Sequence, residues 1–143
     1  SYMLFTVELY RIVAKKLKAD GILIVQSGAA SITENDVFTS ICNTLGKVFN
    51  HVFPYVTYIP SYALQWGFVM ATGNPGKLDI TGQEIDDRIG SKIFGTLRFY
   101  DSITHHALFN LPKYLRTDIK KQTRIISDKD PLTEHYPGIS TDK

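Results

Sequence analysis

The chain has 143 residues, enough for one domain with a hydrophobic core, and its 43% hydrophobic and 21% charged residues are typical of a soluble globular protein. Its 16 basic and 14 acidic residues leave a net charge of +2, too small to indicate nucleic acid or an anionic membrane as a partner. No apolar run reaches the roughly 20 residues of a membrane-spanning helix, and the single cysteine excludes an internal disulfide, so a cytoplasmic location is predicted.

The first third of the chain predicts a helix, a strand and a second helix. Apolar residues recur at helical spacing from Phe5 to Leu17. The run GILIVQ, residues 21–26, is continuous and largely β-branched, which is typical of a strand covered on both faces and suggests a central parallel strand. The small residues SGAAS then form a loop, and an amphipathic series from Val37 to Phe49 predicts a helix that packs on the sheet.

The middle of the chain predicts a pair of neighbouring strands. Residues 51–59, HVFPYVTYI, are rich in β-forming residues, and Pro54 indicates an irregular start or an edge strand. Residues 66–72, WGFVMAT, form a further strand. Because only residues 60–65 connect the two strands, they are expected to pair antiparallel.

The last third predicts short helices and a polar tail. Thr81 to Glu84 read TGQE, a capping box that opens a helix. Residues 101–121 predict two short helices that meet near Pro112. Residues 126–143 are polar and contain proline, so we expect a mobile tail after a domain spanning residues 1–125.

The order of these elements indicates half of an α/β domain. Such a sheet usually begins with a strand, and three strands are few for this number of helices. We therefore predict the C-terminal half of a doubly wound, Rossmann-like domain of the methyltransferase type, with a mostly parallel sheet that ends in an antiparallel edge pair. Folds of this class bind a nucleotide in their first half, which would lie upstream.

Side chains at the predicted strand ends are candidate binding residues. Ligands of open α/β sheets bind beyond the carboxyl ends of the strands, where Gln26 lies. The stretch YIPSYALQWGF, residues 58–68, adds Tyr58, Tyr62 and Trp66 around a tight connection. Aromatic faces attract both apolar chains and cations, a combination that describes a long alkyl amine. Packing in a hydrophobic core is the alternative role for these rings.

Other kinds of site have little support in the sequence. His105 and His106 are adjacent and cannot share a helix face, and the remaining histidines are far apart, so no metal site is predicted. Neither a glycine-rich phosphate loop nor a nucleophile-elbow motif occurs.

Three blocks, in order, resemble the polyamine aminopropyltransferases, the spermidine and thermospermine synthase family. They are LFTVELYRIVAKKLKADGILIVQ, VFNHVFPYVTYIPSYALQWGFVMATGNP and RFYDSITHHALFNLP, and the resemblance extends from residue 1 to about residue 120. It implies a role in polyamine biosynthesis: an aminopropyl group passes from decarboxylated S-adenosylmethionine to a polyamine such as putrescine or spermidine, and methylthioadenosine is released. Decarboxylated S-adenosylmethionine is then a co-substrate, and no cofactor is implied.

The resemblance also implies positions on the polyamine side of the site. Gln26 matches a polyamine-contacting glutamine, and Tyr62 matches the aromatic residue that follows the proline. One tyrosine of the family falls on Val56, with Tyr55 and Tyr58 as its neighbours, and Tyr58 is taken as the candidate for its role. Trp66 is assigned to the pocket wall by its position alone.

On the nucleoside side, Ser1 and Leu4 match the loop that runs beside the nucleoside in the family. The catalytic aspartate motif and the glycine-rich loop of the family lie before the matched region, so no catalytic residue is assigned. We expect the chain alone to be inactive. Its expected partners are the polyamine, the N-terminal half of the same enzyme and further copies in a homo-oligomer, with neither nucleic acid nor a membrane involved.

Two other functions stay open from the sequence. One is a non-catalytic, truncated paralogue that acts as a binding or assembly partner of a full-length synthase. The other is a different methyltransferase-like enzyme, because a shared fold does not determine function. The identity of the polyamine depends on the length of a pocket that both halves would form.

Overall fold

A computed structural model describes residues 2–132, and these form a three-stranded sheet with five α-helices. The helices are α1 (Val7–Lys16), α2 (Asp36–Leu45), α3 (Gly82–Lys92), α4 (Ser102–Phe109) and α5 (Lys113–Lys121). The strands are β1 (Ile22–Ala29), β2 (His51–Ile59) and β3 (Leu64–Thr72). The order of helices and strands is the predicted one, including the two short helices on either side of Pro112.

Strand β3 lies in the centre of the described sheet and is antiparallel to both β1 and β2. The predicted antiparallel pairing of β2 with β3 is confirmed, and Pro54 lies in an edge strand, where a missing N–H is tolerated. Strand β1 is not the central parallel strand that its apolar run suggested. It forms the other edge of the described sheet, pairs antiparallel, and leaves Ile24 56% exposed. The reason is that an apolar run indicates burial but does not specify which strand lies beside it.

Strand β1 also extends further than its apolar run. Its pairing with β3 shifts register between Gln26 and Ala29, and Gly28 within this bulge has φ of +86°. Glycine adopts positive φ without the steric cost that other residues incur. Part of the predicted SGAAS loop is therefore strand, and Ala29 pairs with Trp66.

Different helices cover the two faces of the sheet. On the first, which we call the α2 face, Gly67 and Val69 of β3 are buried against α2. Because side chains alternate along a strand, Phe68 points to the opposite face. There the Tyr55 ring lies 5.4 Å from the Phe68 ring and 4.9 Å from the Phe109 ring of α4, so we call this the α4 face.

The main core lies on the α2 face, between the sheet and helices α1, α2 and α5. Its largest fully buried apolar and aromatic side chains are Tyr10, Phe38, Ile41, Leu45, Val69, Leu115 and Ile126. The residues from α2 recur at a spacing of three or four, which brings them onto one side of the helix. Burial of this apolar surface is the main favourable contribution to the stability of the fold.

The segment after α5 packs along α2. The Ile126 N–H donates to Thr44 Oγ1 (3.0 Å), the Val7 N–H donates to the Ile126 carbonyl (2.9 Å), and the Ile126 side chain is fully buried. Leu132 is also buried. The prediction of a mobile tail from residue 126 is therefore corrected for residues 126–132, where two apolar residues enter the core. Residues 133–143 lie outside the described residues.

The predicted capping box begins helix α3. Thr81 Oγ1 accepts a hydrogen bond from the Glu84 N–H (3.2 Å), and Glu84 Oε2 accepts one from the Thr81 N–H (2.8 Å). The Thr81 N–H and the Thr81 hydroxyl (3.0 Å) both donate to Glu84 Oε2, and these two hydrogen bonds lower the pKa of Glu84 because they favour the charged carboxylate. The start of α3 is thus determined locally, by the two side chains that the sequence spacing brings together.

Helix α3 contains an exposed glycine at position 90, where an added Cβ would have no atom within 4 Å. Replacing Gly90 with alanine is expected to stabilise the protein by roughly 0.5–1 kcal/mol, because alanine restricts the unfolded chain more than glycine does. Thermal unfolding followed by circular dichroism should show a rise of about 2–4 °C.

Gly95 provides the matched control for this prediction. It also has open space around its Cβ position, but its φ is +90°. Gly95→Ala should therefore lower the melting temperature, since alanine is strained at that φ. A rise for both variants would show that backbone conformation does not decide the sign of the effect.

Candidate functional site

The polar and aromatic candidates lie at one end of the strands, where β1 and β2 end and β3 begins. We call this end of the sheet the rim and define it as residues 26–30 and residues 58–66. The two parts are directly joined, because Ala29 pairs with Trp66 and the Ala30 N–H donates to the Gln65 carbonyl (3.0 Å). The expectation that Gln26 and the aromatic stretch lie at the same end of the sheet agrees with this pairing.

The connection between β2 and β3 is a tight turn. Residues Pro60–Tyr62 form a short 3-10 helix, and the Ala63 N–H donates to the Pro60 carbonyl (3.2 Å). Proline suits the first position of such a turn because its φ is already restricted to helical values. Ala63 has a φ of +54°, in the left-handed region that a non-glycine residue rarely adopts. The turn leaves Tyr62 47% exposed, beside the first residues of β3.

Tyr62 and Trp66 form an aromatic pair at the rim. Their ring centroids are 4.5 Å apart and the ring planes are inclined by 46°. Trp66 is half-buried, and its Nε1 is buried without a hydrogen-bond partner among the described residues. An unsatisfied buried donor costs about 1–3 kcal/mol, and the buried hydroxyls of Tyr10 and Ser40 likewise have no partner among the described residues.

The strand register separates the four predicted polyamine-side residues into two groups. Gln26 pairs with Phe68, and Trp66 pairs with Ala29 and Thr57, which puts Gln26 and Trp66 on the α4 face. Tyr58 pairs with Gln65 and therefore lies on the α2 face, where it is 58% exposed. The register thus puts Gln26 on the same side of the rim as the contacting Tyr62–Trp66 pair, and it puts Tyr58 on the other side.

The nucleoside-side candidates are less closely tied to the rim. Leu4 is 56% exposed in the short 3-10 helix Tyr2–Phe5 that precedes α1. In the described part of the chain, no hydrogen bond or ring contact joins Leu4 to Gln26, Tyr62 or Trp66. Ser1 lies outside the described residues.

A residue that the sequence did not indicate also contacts the rim. The Tyr114 hydroxyl, on α5, donates to the Ala30 carbonyl (2.8 Å) and lies 3.4 Å from Gln65 Oε1. Burial raises the pKa of Tyr114, and the nearby Asp118 raises it further, so the hydroxyl stays protonated and able to donate. The separation of 84 residues between Tyr114 and Ala30 leaves no local sequence signal for this contact.

The rim, residues 26–30 and 58–66, contains no acidic or basic side chain. Carboxylates elsewhere have local structural partners: Asp86 accepts from the Ser102 hydroxyl, Asp101 caps α4, and Asp118 accepts from the Asn35 amide. The α4 side of the rim is therefore aromatic and uncharged. Such a surface can contact a methylene chain and the face of an ammonium group, but it supplies no countercharge.

The histidines and the cysteine do not form an alternative centre in the part of the chain that the structure describes. There, no group of three or more His, Cys, Asp or Glu side chains is arranged to hold a metal ion. His105 Nδ1 is 2.7 Å from the Tyr100 hydroxyl, and burial followed by the neighbouring His106 lowers the pKa of His105. Burial raises the pKa of Cys42 to about 12, so its thiol is not a nucleophile at neutral pH. Over residues 2–132, no helix has the length and apolar surface needed to cross a membrane.

Comparison with known proteins identifies the family. Residues 1–80 match the family model of the spermine/spermidine synthase domain. This chain belongs to the spermine/spermidine synthase family. The polyamine aminopropyltransferase of Sulfolobus acidocaldarius is 36% identical over 132 residues, which are 92% of this chain and 43% of that protein. Polyamine aminopropyltransferase 2 of Hyperthermus butylicus is 36% identical over 129 residues, or 90% of this chain and 42% of that protein.

Solved structures of spermidine synthases share the fold. The crystal structure of the Thermotoga maritima spermidine synthase matches with a TM-score of 0.69 at 22% identity, over 85% of this chain and 40% of that one. A spermidine synthase in complex with the transition-state analogue AdoDATO matches with a TM-score of 0.68 at 23% identity, over 83% and 39%. The predicted family and α/β, methyltransferase-like fold class are thus confirmed. This synthase-family chain spans about 43% of the length of the Sulfolobus relative.

Proposed function

We propose that this chain forms the polyamine-side wall of an aminopropyltransferase that acts in polyamine biosynthesis. The observation that carries the proposal is the Tyr62–Trp66 pair, with centroids 4.5 Å apart, on the side of the rim that also holds Gln26. The names of the relatives, polyamine aminopropyltransferases, support the choice of substrate class. The site residues of the proposal are Gln26, Tyr62 and Trp66.

The chemistry of these side chains suits a flexible polycation. Methylene segments pack against aromatic rings, and an ammonium group over a ring face gains about 0.5–1 kcal/mol at an exposed site. The Gln26 amide oxygen can accept a hydrogen bond from an amine or ammonium N–H without adding charge. Tyr58 is not part of the proposed wall, because it lies on the α2 face.

The proposed reaction transfers an aminopropyl group from decarboxylated S-adenosylmethionine. A neutral amine nitrogen of the polyamine forms a bond to the aminopropyl carbon next to the sulfonium sulfur, and the bond between that carbon and sulfur breaks. Methylthioadenosine leaves as a neutral thioether, and the attacking nitrogen loses a proton to a base. A free alkyl amine is mostly protonated at neutral pH, with a pKa near that of lysine, about 10.4, so a base is needed for rapid attack.

The proposal includes partners that supply what the rim lacks. We assign the base and the countercharges to the N-terminal half of the same enzyme, and the nucleoside side to the segment that contains Ser1 and Leu4. Self-association as a homo-oligomer and a cytoplasmic location complete the proposal. The uncharged α4 side of the rim supports an acidic contribution from elsewhere, because a polyamine bound without anions would have unpaired ammonium groups.

Trp66 is the only tryptophan of the chain, so its fluorescence reports binding at the rim specifically. Titration of the 143-residue chain with spermidine at constant ionic strength should change the emission saturably, with a dissociation constant of about 1 mM for a few weak contacts. An uncharged diol of similar length and Mg²⁺ serve as matched controls. Equal changes with all three solutes, or no change with spermidine, would contradict polyamine binding at this wall.

Activity of the chain alone provides a second test. With decarboxylated S-adenosylmethionine and putrescine or spermidine, we expect no methylthioadenosine by mass spectrometry, because the rim residues include no carboxylate to act as the base. A complete aminopropyltransferase under the same conditions serves as the positive control. Turnover by the chain alone would show that the base lies within it and that the proposed division of the site is wrong.

A further inference from the structure

Helix α5 is attached to the rim through one hydroxyl group. The Tyr114 hydroxyl donates to the carbonyl of Ala30, which is fully buried, and lies 3.4 Å from the side-chain oxygen of Gln65. The Ala30 N–H donates to the Gln65 carbonyl (3.0 Å), so both backbone polar groups of Ala30 are engaged. One side chain therefore connects α5, the end of β1 and the beginning of β3.

The end of β1 needs such a connection because its regular pairing is interrupted. The register with β3 shifts between Gln26 and Ala29, around Gly28 with its positive φ. A bulge locally disrupts the hydrogen-bond ladder between strands. Beyond it, the pairing of Ala29 with Trp66 and the two hydrogen bonds of Ala30 hold the strand end in place.

The segment that follows β1, residues 30–35, is attached to α5 at its far end as well. The Asn35 amide donates to Asp118 Oδ2 (3.1 Å), one turn of α5 beyond Tyr114. Tyr114 and Asp118 thus hold the two ends of the segment from Ala30 to Asn35 against one helix. Of these two attachments, only that of Tyr114 contacts Gln65, the residue next to Trp66.

We propose that Tyr114 is a positioning residue for the polyamine wall, acting through Ala30 and Gln65 on Trp66 rather than by touching the substrate. The role of the wall in polyamine binding rests on the proposed function, whereas the effect of Tyr114 on Trp66 does not. Loss of the hydroxyl leaves the buried Ala30 carbonyl without its side-chain donor and releases the link to Gln65. The start of β3, and with it the Tyr62–Trp66 pair, then becomes more mobile.

The test compares Tyr114→Phe with Tyr100→Phe in the full 143-residue chain. Each variant removes one hydroxyl and keeps the ring, and the Tyr100 hydroxyl bonds His105 Nδ1, outside the rim (2.7 Å). Acrylamide quenching of Trp66 without ligand is the first measurement. We expect Tyr114→Phe to raise the quenching constant by about half or more, and Tyr100→Phe to leave it unchanged, because only the first removes a hydrogen bond that restrains the rim.

Spermidine titration is the second measurement. Tyr114→Phe should weaken binding about fivefold, the factor that corresponds to one typical hydrogen bond, while Tyr100→Phe should change it less than about twofold. Thermal unfolding of both variants separates this effect from a general loss of stability. Unchanged quenching in Tyr114→Phe, or equal changes in both variants, would overturn the positioning role. If the unmodified chain fails to bind spermidine, the proposed function fails, and the quenching result still decides the role of Tyr114.

Discussion

Gly67→Ala is expected to destabilise the protein by about 3 kcal/mol, which corresponds to a fall of about 10 °C in the melting temperature. A Cβ at position 67 would overlap the ring of Phe38 and lie within 2.6 Å of its Cε2 atom. Phe38, on α2, is fully buried, and close packing of a protein interior resists displacement of its ring. Glycine at this position in β3 therefore sets how closely α2 approaches the sheet. Thermal and urea unfolding followed by circular dichroism measure the effect.

Two controls make the Gly67 prediction specific. Gly73 follows the end of the same strand, and a Cβ added there has no atom within 4 Å. Gly73→Ala should therefore change the free energy of unfolding by less than about 0.5 kcal/mol. Phe38→Leu combined with Gly67→Ala should cost less than the sum of the two single changes, because the smaller side chain relieves the overlap. Additive effects, or equal losses for Gly67→Ala and Gly73→Ala, would show that the ring contact is not the cause.

Tyr62→Ala is expected to weaken spermidine binding about tenfold, the largest effect on binding that we predict for a single residue. The tyrosine is 47% exposed and is the accessible partner of the Tyr62–Trp66 pair. Its removal deletes one ring face available to an ammonium group and to the methylene chain. The dissociation constant follows from the fluorescence of Trp66, with calorimetry as an independent measurement because loss of the ring also alters the baseline emission.

Two tyrosine variants are matched to this prediction. Tyr62→Phe keeps the ring and should bind within about twofold of the unmodified chain, because a phenyl face also attracts cations. Tyr58→Ala removes a ring of similar exposure, 58%, from the α2 face and should leave binding unchanged. Equal weakening by Tyr58→Ala and Tyr62→Ala would show that the wall is not confined to the α4 face.

The helices and strands were predictable because their signals are local. The capping box at Thr81 and Glu84 depends on side chains three residues apart, and it begins α3 in the structure as predicted. The antiparallel pairing of β2 with β3 follows from the short connection between them. The prediction of a mobile tail from residue 126 used composition alone, and it was wrong for residues 126–132. These residues are mostly polar, but the Ile126 side chain among them is part of the core.

The candidate site was only partly predictable. Gln26 and Trp66 could be expected at the same end of the sheet, but which face each residue occupies depends on the strand register, including the bulge at Gly28. The register separates Tyr58 from the aromatic pair. Tyr114 could not be found from sequence, since its contact with Ala30 joins residues that the fold alone brings together.

The amino-acid sequence by itself determined the family, the order of the helices and strands and the local ends of the helices, because these depend on residue identity and short spacing. The tertiary structure decided the position of β1 within the described sheet, the face on which each rim residue lies, and the attachment of α5 to the rim. The physical reason is that register and helix packing are set by contacts between residues distant in the chain. Such contacts form where apolar surfaces are buried and hydrogen-bonding groups find partners at the same time. No single segment of the sequence determines where this happens.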